Sequence, residues 1–374
     1  MSGQNRLSWV DTAKGISIIL VVMMYCVFNV GQDANGVGFF HYVIAFATPL
    51  RMPEFFLISG LFLSQVIDRS WARYADRRVL HYFYFYALWV VIHIGLKIGL
   101  TLGQPVLAAQ QIAEAVVQPY GVLWFIYLLA VFSAVAKLAH NFRVPHWVVL
   151  AFGASLEIPS FSVPQSYLVE QFCHYFVFFY AGYVFAPKIF LLVDWAMEHV
   201  RLALVGLAIW ATVEAALVFS PALPFWPGFG IYPDHVDLGL AGVPGLRLAL
   251  AVIGSVALCV TGGLLSKLAA MDWLRWLGEH SLVVYVTFVL PMTYFRAALV
   301  KFHLVSNVSL AELAVMVVAI GFSVVVYLTT QRTGRGKWLY ERPAWAHIPG
   351  TPGSRTHVPA ARGSVEAVPA VPAE

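Results

Sequence analysis

Ten apolar stretches punctuate this chain, at about 16–32, 38–66, 79–101, 121–139, 146–158, 167–187, 201–219, 245–266, 281–300 and 310–330. A helix needs roughly 20 mostly apolar residues to cross a bilayer. In hydrocarbon, only helices and closed barrels satisfy their own backbone hydrogen bonds. The pattern therefore predicts an all-α fold, a polytopic membrane bundle of about ten transmembrane helices within residues 1–335. Charged residues make up 11% of the 374 residues, against about 25% in soluble domains. That excludes an ordinary cytosolic enzyme, a disordered chain and a nucleic-acid binder. The fifth stretch is short for a full span. The second is long, and Pro49 and Pro53 are placed to break or tilt it.

The charges give an independent test. With the N-terminus inside, 18 of the 23 Lys and Arg residues fall in segments on the cytoplasmic side. The other five, Arg51, Lys97, Arg247, Arg296 and Lys301, lie within spans or near outer ends. The loops placed outside, about 33–37, 102–120, 159–166 and 220–244, contain no Lys or Arg. This alternation follows the positive-inside rule and predicts an even number of crossings with both termini cytoplasmic. Met1–Ser8 is too short and polar for a secretory signal, so the first span is expected to remain as an anchor. The tail 349–374, rich in Pro, Ala, Gly and Val, reads as a disordered cytoplasmic extension. The outer loop 220–244, rich in Pro, Gly and aromatics, reads as a re-entrant segment or a lid.

Charges at membrane depth cost a few kcal/mol and usually face a bundle interior. Here they are numerous: Arg51 and Glu54 three residues apart in the broken second span, His81, His93 and Lys97 in the third, Glu157 ending the fifth, Glu170 and His174 one turn apart in the sixth, Glu214 in the seventh and Arg296 in the ninth. Arg51 and Glu54 are spaced to pair. As a set, these residues predict a polar central cavity, hence catalysis on, or passage of, a polar substrate. No metal is implied, because the His residues lack ligand spacing beyond the Glu170/His174 pair. Cys26, Cys173 and Cys259 all fall in apolar stretches and read as buried small hydrophobes. In the first span, Lys14 and Tyr25 are eleven positions apart. Eleven helical residues make about three turns and rise about 16 Å, so both lie on one face.

At these residues the chain resembles the acyltransferase-3 family of bacterial integral-membrane proteins. Asp11, Lys14, Gly15, Ile16 and Ile18–Val22 fit its first-span pattern. RMPEFFLISGLF (51–62), the basic stretch Arg69–Arg78, LWFIYLL (123–129) and WLGEHSLVVYVTF (276–288) follow in the family's order. The resemblance implies transfer of an acetyl or other acyl group from cytoplasmic acyl-CoA to a hydroxyl of a cell-envelope carbohydrate, in the bacterial inner membrane and without a bound cofactor. It implies that Lys14, Arg69, Arg73, Arg77 and Arg78 attract the CoA phosphates. The same basic loop is also what the positive-inside rule alone would produce.

Two departures matter. Tyr25 stands where the family has a histidine, and Arg51 stands where it often has another. A His takes a proton from a hydroxyl at neutral pH. A Tyr is about one part in a thousand ionised at pH 7 and is a poor base, though it can donate to a developing oxyanion. Three explanations stand side by side. The base is His174 oriented by Glu170, or Glu54 held by Arg51. Tyr25 is itself activated by a nearby cation. Or catalysis is lost, and the chain is a non-catalytic binding protein or transporter. The candidate catalytic residues are thus Tyr25, Glu54, Glu170 and His174, with Arg51 lining the substrate site.

Overall fold

The computed structural model describes residues 3–158, 166–302 and 307–354, with side chains from Ser8 onward. Most of the expected outer loop at 159–166, and residues 355–374 of the expected tail, lie outside the described residues. The fold is a helical membrane bundle. Its helices are α1 (Gly3–Ala34), α2 (Phe39–Ala47), α3 (Arg51–Leu61), α4 (Trp71–Ala75), α5 (His81–Ile94), α6 (Pro105–Glu114), α7 (Trp124–Asn141), α8 (His146–Glu157), α9 (Tyr167–Glu198), α10 (Val200–Val218), α11 (Leu246–Leu265), α12 (Asp272–Glu279), α13 (Ser281–Thr287), α14 (Val289–Phe302) and α15 (Val308–Thr333). Helices α4 and α5 belong to one apolar helical stretch, Trp71–Leu100. Among the described residues, seven helices are long and apolar enough to cross a membrane, and nine if each of two bent pairs is one span.

The stretch left out of that count is the fifth, α8, which has 12 residues. At 1.5 Å per residue it is about 18 Å long, short of a hydrocarbon core of about 30 Å. It still runs back along α9: His146 meets Tyr180 and Tyr183, and Gly153 faces Val177.

The second stretch bends by 48° between α2 and α3. Pro49 sits in the break, where it has no N–H to continue the helix ladder. Pro53 falls in the first turn of α3, where its missing N–H would have had no intrahelical partner anyway. So one proline breaks the span and the other starts the next helix. The second bend, 47°, separates α13 from α14.

Helices in lipid gain little from hydrophobic association and rely on close packing. Two seams show how closely the backbones approach. A Cβ on Gly60 of α3 would fall on the Phe179 carbonyl oxygen of α9, and one on Gly182 of α9 would fall on the Leu57 carbonyl oxygen. Likewise, Gly278 of α12 lies against the Asp11 carbonyl of α1, and Gly15 against the Leu274 carbonyl. An aromatic core fills the space between α3, α7 and α9: Phe56 packs on Phe125 at 4.6 Å, on Phe132 at 5.1 Å and on Tyr175 at 5.2 Å.

The loop 220–244 folds into a small antiparallel hairpin, β1 (Phe229–Ile231) with β2 (Val236–Leu238). It covers the end of the bundle that holds the C-terminal turn of α1, where the Pro233 carbonyl is close to both Gly31 and His41. At the other end, Gly334 ends α15 in the left-handed conformation, φ 69°, a common helix stop. The chain then turns back as a strap. The carbonyls of Trp338 and Leu339 accept from Tyr84 Oη at 2.9 Å and from Trp89 Nε1 at 3.1 Å. Arg342 is anchored on Asp76 of the Trp71–Leu100 stretch at 2.7 Å. Residues 349–354, within the expected tail, form turns that bury Thr351.

Candidate functional site

Helix α9 organises the site by spacing alone. Glu170 and His174 are one turn apart, and so are Gln171 and Tyr175, one residue further round. A step of about 100° per residue puts the two pairs on adjacent stripes. Each stripe faces a cavity. Tyr25, Arg51, Trp124, Tyr167 and Tyr285 line a chamber of about 170 Å³. Glu157, Glu170, His174 and Arg247, with Thr48, Pro53 and hairpin residue Leu238, line a second one of about 280 Å³. Gln171 and Tyr175 belong to both, so the two chambers share a wall.

In the smaller chamber, Arg51 is placed by the break before α3. Its guanidinium reaches back over the bend, donating to Thr48 Oγ1 at 2.8 Å and lying 2.8 Å from Met24 Sδ. Its Nε has no hydrogen-bond partner, and no ion pair to Arg51 occurs among the described residues. Tyr25 Oη accepts from Trp124 Nε1 at 3.4 Å, and its ring lies 5.7 Å from that of Phe288. The expected Arg51–Glu54 pair does not form. Glu54 faces α1 instead and accepts from the Ser17 hydroxyl. Both Ser17 and Glu54 are fully buried, so the polar seam between α1 and α3 is closed at their level.

In the larger chamber, Arg247 joins residues that are far apart in sequence. Its Nε donates to Glu157 Oε1 at 2.9 Å, and its Nη2 reaches the Glu157 carbonyl at 3.2 Å and His174 Nδ1 at 3.1 Å. His174 Nε2 lies 3.9 Å from Glu170 Oε1.

The five residues expected to hold the donor lie away from both chambers. Lys14 pairs with Asp11 at 3.7 Å and sits 5.9 Å above the Phe62 ring, and Arg78 donates to the Phe62 carbonyl at 3.3 Å. Lys14 and Arg78 thus converge on the end of α3. Arg69, Arg73 and Arg77 are exposed.

Sequence reasoning missed the Arg247 link. Glu157 and Arg247 were visible as charges bordering apolar stretches, but nothing local says that they meet. It also missed His41 and Glu312, a fully buried pair 2.9 Å apart near the hairpin. Among the described residues, no group of three or more His, Cys, Asp or Glu could hold a metal ion.

A family model described as an acyltransferase domain matches residues 7–328, nearly the whole chain. Among curated proteins and solved structures, none matches it.

Proposed function

Because the chain belongs to the acyltransferase-3 family, and is therefore a membrane acyltransferase, we propose that it moves an acetyl or other acyl group from acyl-CoA to a hydroxyl of a cell-envelope carbohydrate. The observation that carries this reading is Arg51. A guanidinium is always charged, and burying an ion without a counter-charge costs several kcal/mol. A chamber that holds one beside the Tyr25 hydroxyl is built for negative charge. In acyl transfer that charge develops on the carbonyl oxygen of the thioester as the hydroxyl attacks.

The rest of the molecule is compatible with that chemistry. Lys14 and Arg78 converge at the basic end of the bundle and supply charge for the CoA phosphates. Opening the Ser17–Glu54 contact would let the acyl arm pass from there along α1 to Tyr25, about 16 Å away. The aromatic walls exclude water and limit wasteful hydrolysis of the thioester. The charge alternation orients the basic end toward the cytoplasm of the inner membrane, with both termini there.

The test is thioester turnover by the protein in nanodiscs against a panel of envelope glycans. Arg51→Met is expected to lower kcat by roughly 10²–10³, the loss typical of one oxyanion donor, with CoA binding retained. Full activity in Arg51→Met would remove the oxyanion role. A second reading, a non-catalytic member that binds or transports its substrate, is favoured by Tyr25 in the family's histidine position. It predicts CoA binding with no thioester consumed.

A further inference from the structure

We infer that the gap between Glu170 and His174 seats the acceptor hydroxyl, with Glu170 as the base that takes its proton, His174 as the donor that aims it, and Arg247 as the positioning residue that fixes His174 in that role. The inference rests on the acyl-transfer reading and deepens it.

The argument begins at Arg247, which has donors and no acceptor. It touches His174 Nδ1 at 3.1 Å, so that nitrogen accepts. Neutral imidazole carries one proton, so the proton is on Nε2. Glu157 holds Arg247 in place through the bond to Nε. With the Nδ1 lone pair occupied and Nε2 protonated, His174 has no lone pair to offer a hydroxyl. It is a donor here, not a base.

Nε2–H faces Glu170 Oε1 across 3.9 Å. That is too long for a direct hydrogen bond. It is the right length for one bridging oxygen: two bonds of about 2.8 Å meeting at about 90° span it. A hydroxyl placed there accepts from His174 and donates to Glu170, whose carboxylate oxygens accept that bond and can take the proton. The oxygen's remaining lone pair is then free for attack. Both side chains line the larger chamber, which shares Gln171 and Tyr175 with the chamber of Arg51. The acceptor's body occupies one chamber and the acyl group the other.

The step balances. The hydroxyl oxygen bonds to the acyl carbon, the carbon–sulfur bond breaks, and its electron pair leaves on sulfur. The hydroxyl proton passes to Glu170 and from there to the thiolate or to water.

The test has two parts. ¹⁵N-histidine spectra of the full-length protein in nanodiscs, with the His174 signal identified by its loss in His174→Gln, are expected to show an unprotonated Nδ1 and a protonated Nε2. Arg247→Gln should shift that signal toward a mixture of tautomers, which a merely structural residue would not do. A protonated Nδ1 in the wild type overturns the inference. In turnover assays, Glu170→Gln is expected to lower transfer by about 10²–10⁴-fold with the KM for the thioester unchanged, and Arg247→Lys should lose less than Arg247→Gln. Transfer undiminished in Glu170→Gln overturns the inference while the acyltransferase reading stands. A wild type that consumes no thioester sinks both.

Discussion

At the scale of single residues, Tyr25 is one of the two positions where the chain departs from its family, and its surroundings say what it does. Its hydroxyl already accepts from Trp124 Nε1, so its own proton remains to be given away. In a chamber that also holds Arg51, that proton supports the role of oxyanion donor. Tyr25→Phe is therefore expected to lower kcat by roughly 10²–10³ without changing CoA affinity, measured as thioester turnover. Tyr25→His should not raise the rate if Glu170 supplies the base. A gain in Tyr25→His together with no loss in Tyr25→Phe would mark Tyr25 as a relic. The residues of both chambers were legible in part. A charge in an apolar run stands out against a background of Leu and Val, and Arg51, Glu170 and His174 stand out that way, as does Glu54, which the fold places in the closed seam instead. Their partners were not legible. Arg51 and Glu54 share a helix at pairing distance, yet one reaches back over a proline break and the other faces α1. Glu157, Arg247 and His174 meet only because α8, α9 and α11 converge.

At the scale of elements, apolar length predicted the helices well, since each must satisfy its own backbone in lipid. It predicted their limits less well. Nothing in residues 146–158 says that α8 stops about 12 Å short of a full crossing, because a half-length helix sheltered beside α9 carries the same apolar pattern. Three glycines of the family-like motifs, Gly15, Gly60 and Gly278, gain a physical reason from the packing, as does Gly182 outside them. Gly60 and Gly182 are where α3 and α9 touch backbone to backbone, and Gly15 and Gly278 do the same for α1 and α12. A methyl group at any of them must push the helices apart, at a cost of about 1–3 kcal/mol. Gly182→Ala is accordingly expected to lower the thermal midpoint in detergent and to reduce turnover, since α9 carries Glu170, Gln171, His174 and Tyr175. Gly206→Ala, on α10 with nothing within 4 Å of a new Cβ, is the matched control and should leave both unchanged. Equal effects from the two substitutions would mean that the α3–α9 seam tolerates separation.

At the scale of the whole molecule, the strap that follows α15 ties distant parts of the bundle together. Composition gave no warning of it. Residues 336–348 are neither apolar enough for a span nor biased enough for a tail, and Arg342 looked like one more cytoplasmic positive charge. In the fold, Arg342 and Asp76 are almost completely buried against each other, 2.7 Å apart. Asp76 also accepts from the Ile348 backbone N–H at 2.8 Å and lies 3.0 Å from His347 Nδ1. Tyr340 adds a contact between its hydroxyl and Thr287 of α13 at 3.0 Å, so the strap joins the Trp71–Leu100 stretch to α13. Breaking a buried ion pair from one side leaves an uncompensated charge, at about 3–5 kcal/mol. The Ile348 N–H survives in Arg342→Met and offsets part of that loss, so a value near about 3 kcal/mol is expected for the single substitution. Replacing both partners, as in Asp76→Asn with Arg342→Met, removes the stranded charge as well as the bond. The pair should then be less damaging together than the sum of the singles. A double-mutant cycle on thermal or denaturant unfolding in micelles measures this directly. A coupling of more than about 1 kcal/mol is what a buried, hydrogen-bonded pair predicts. Additive losses would mean that the strap rests on its Tyr84, Trp89 and Tyr340 contacts, and that the ion pair adds nothing to its hold.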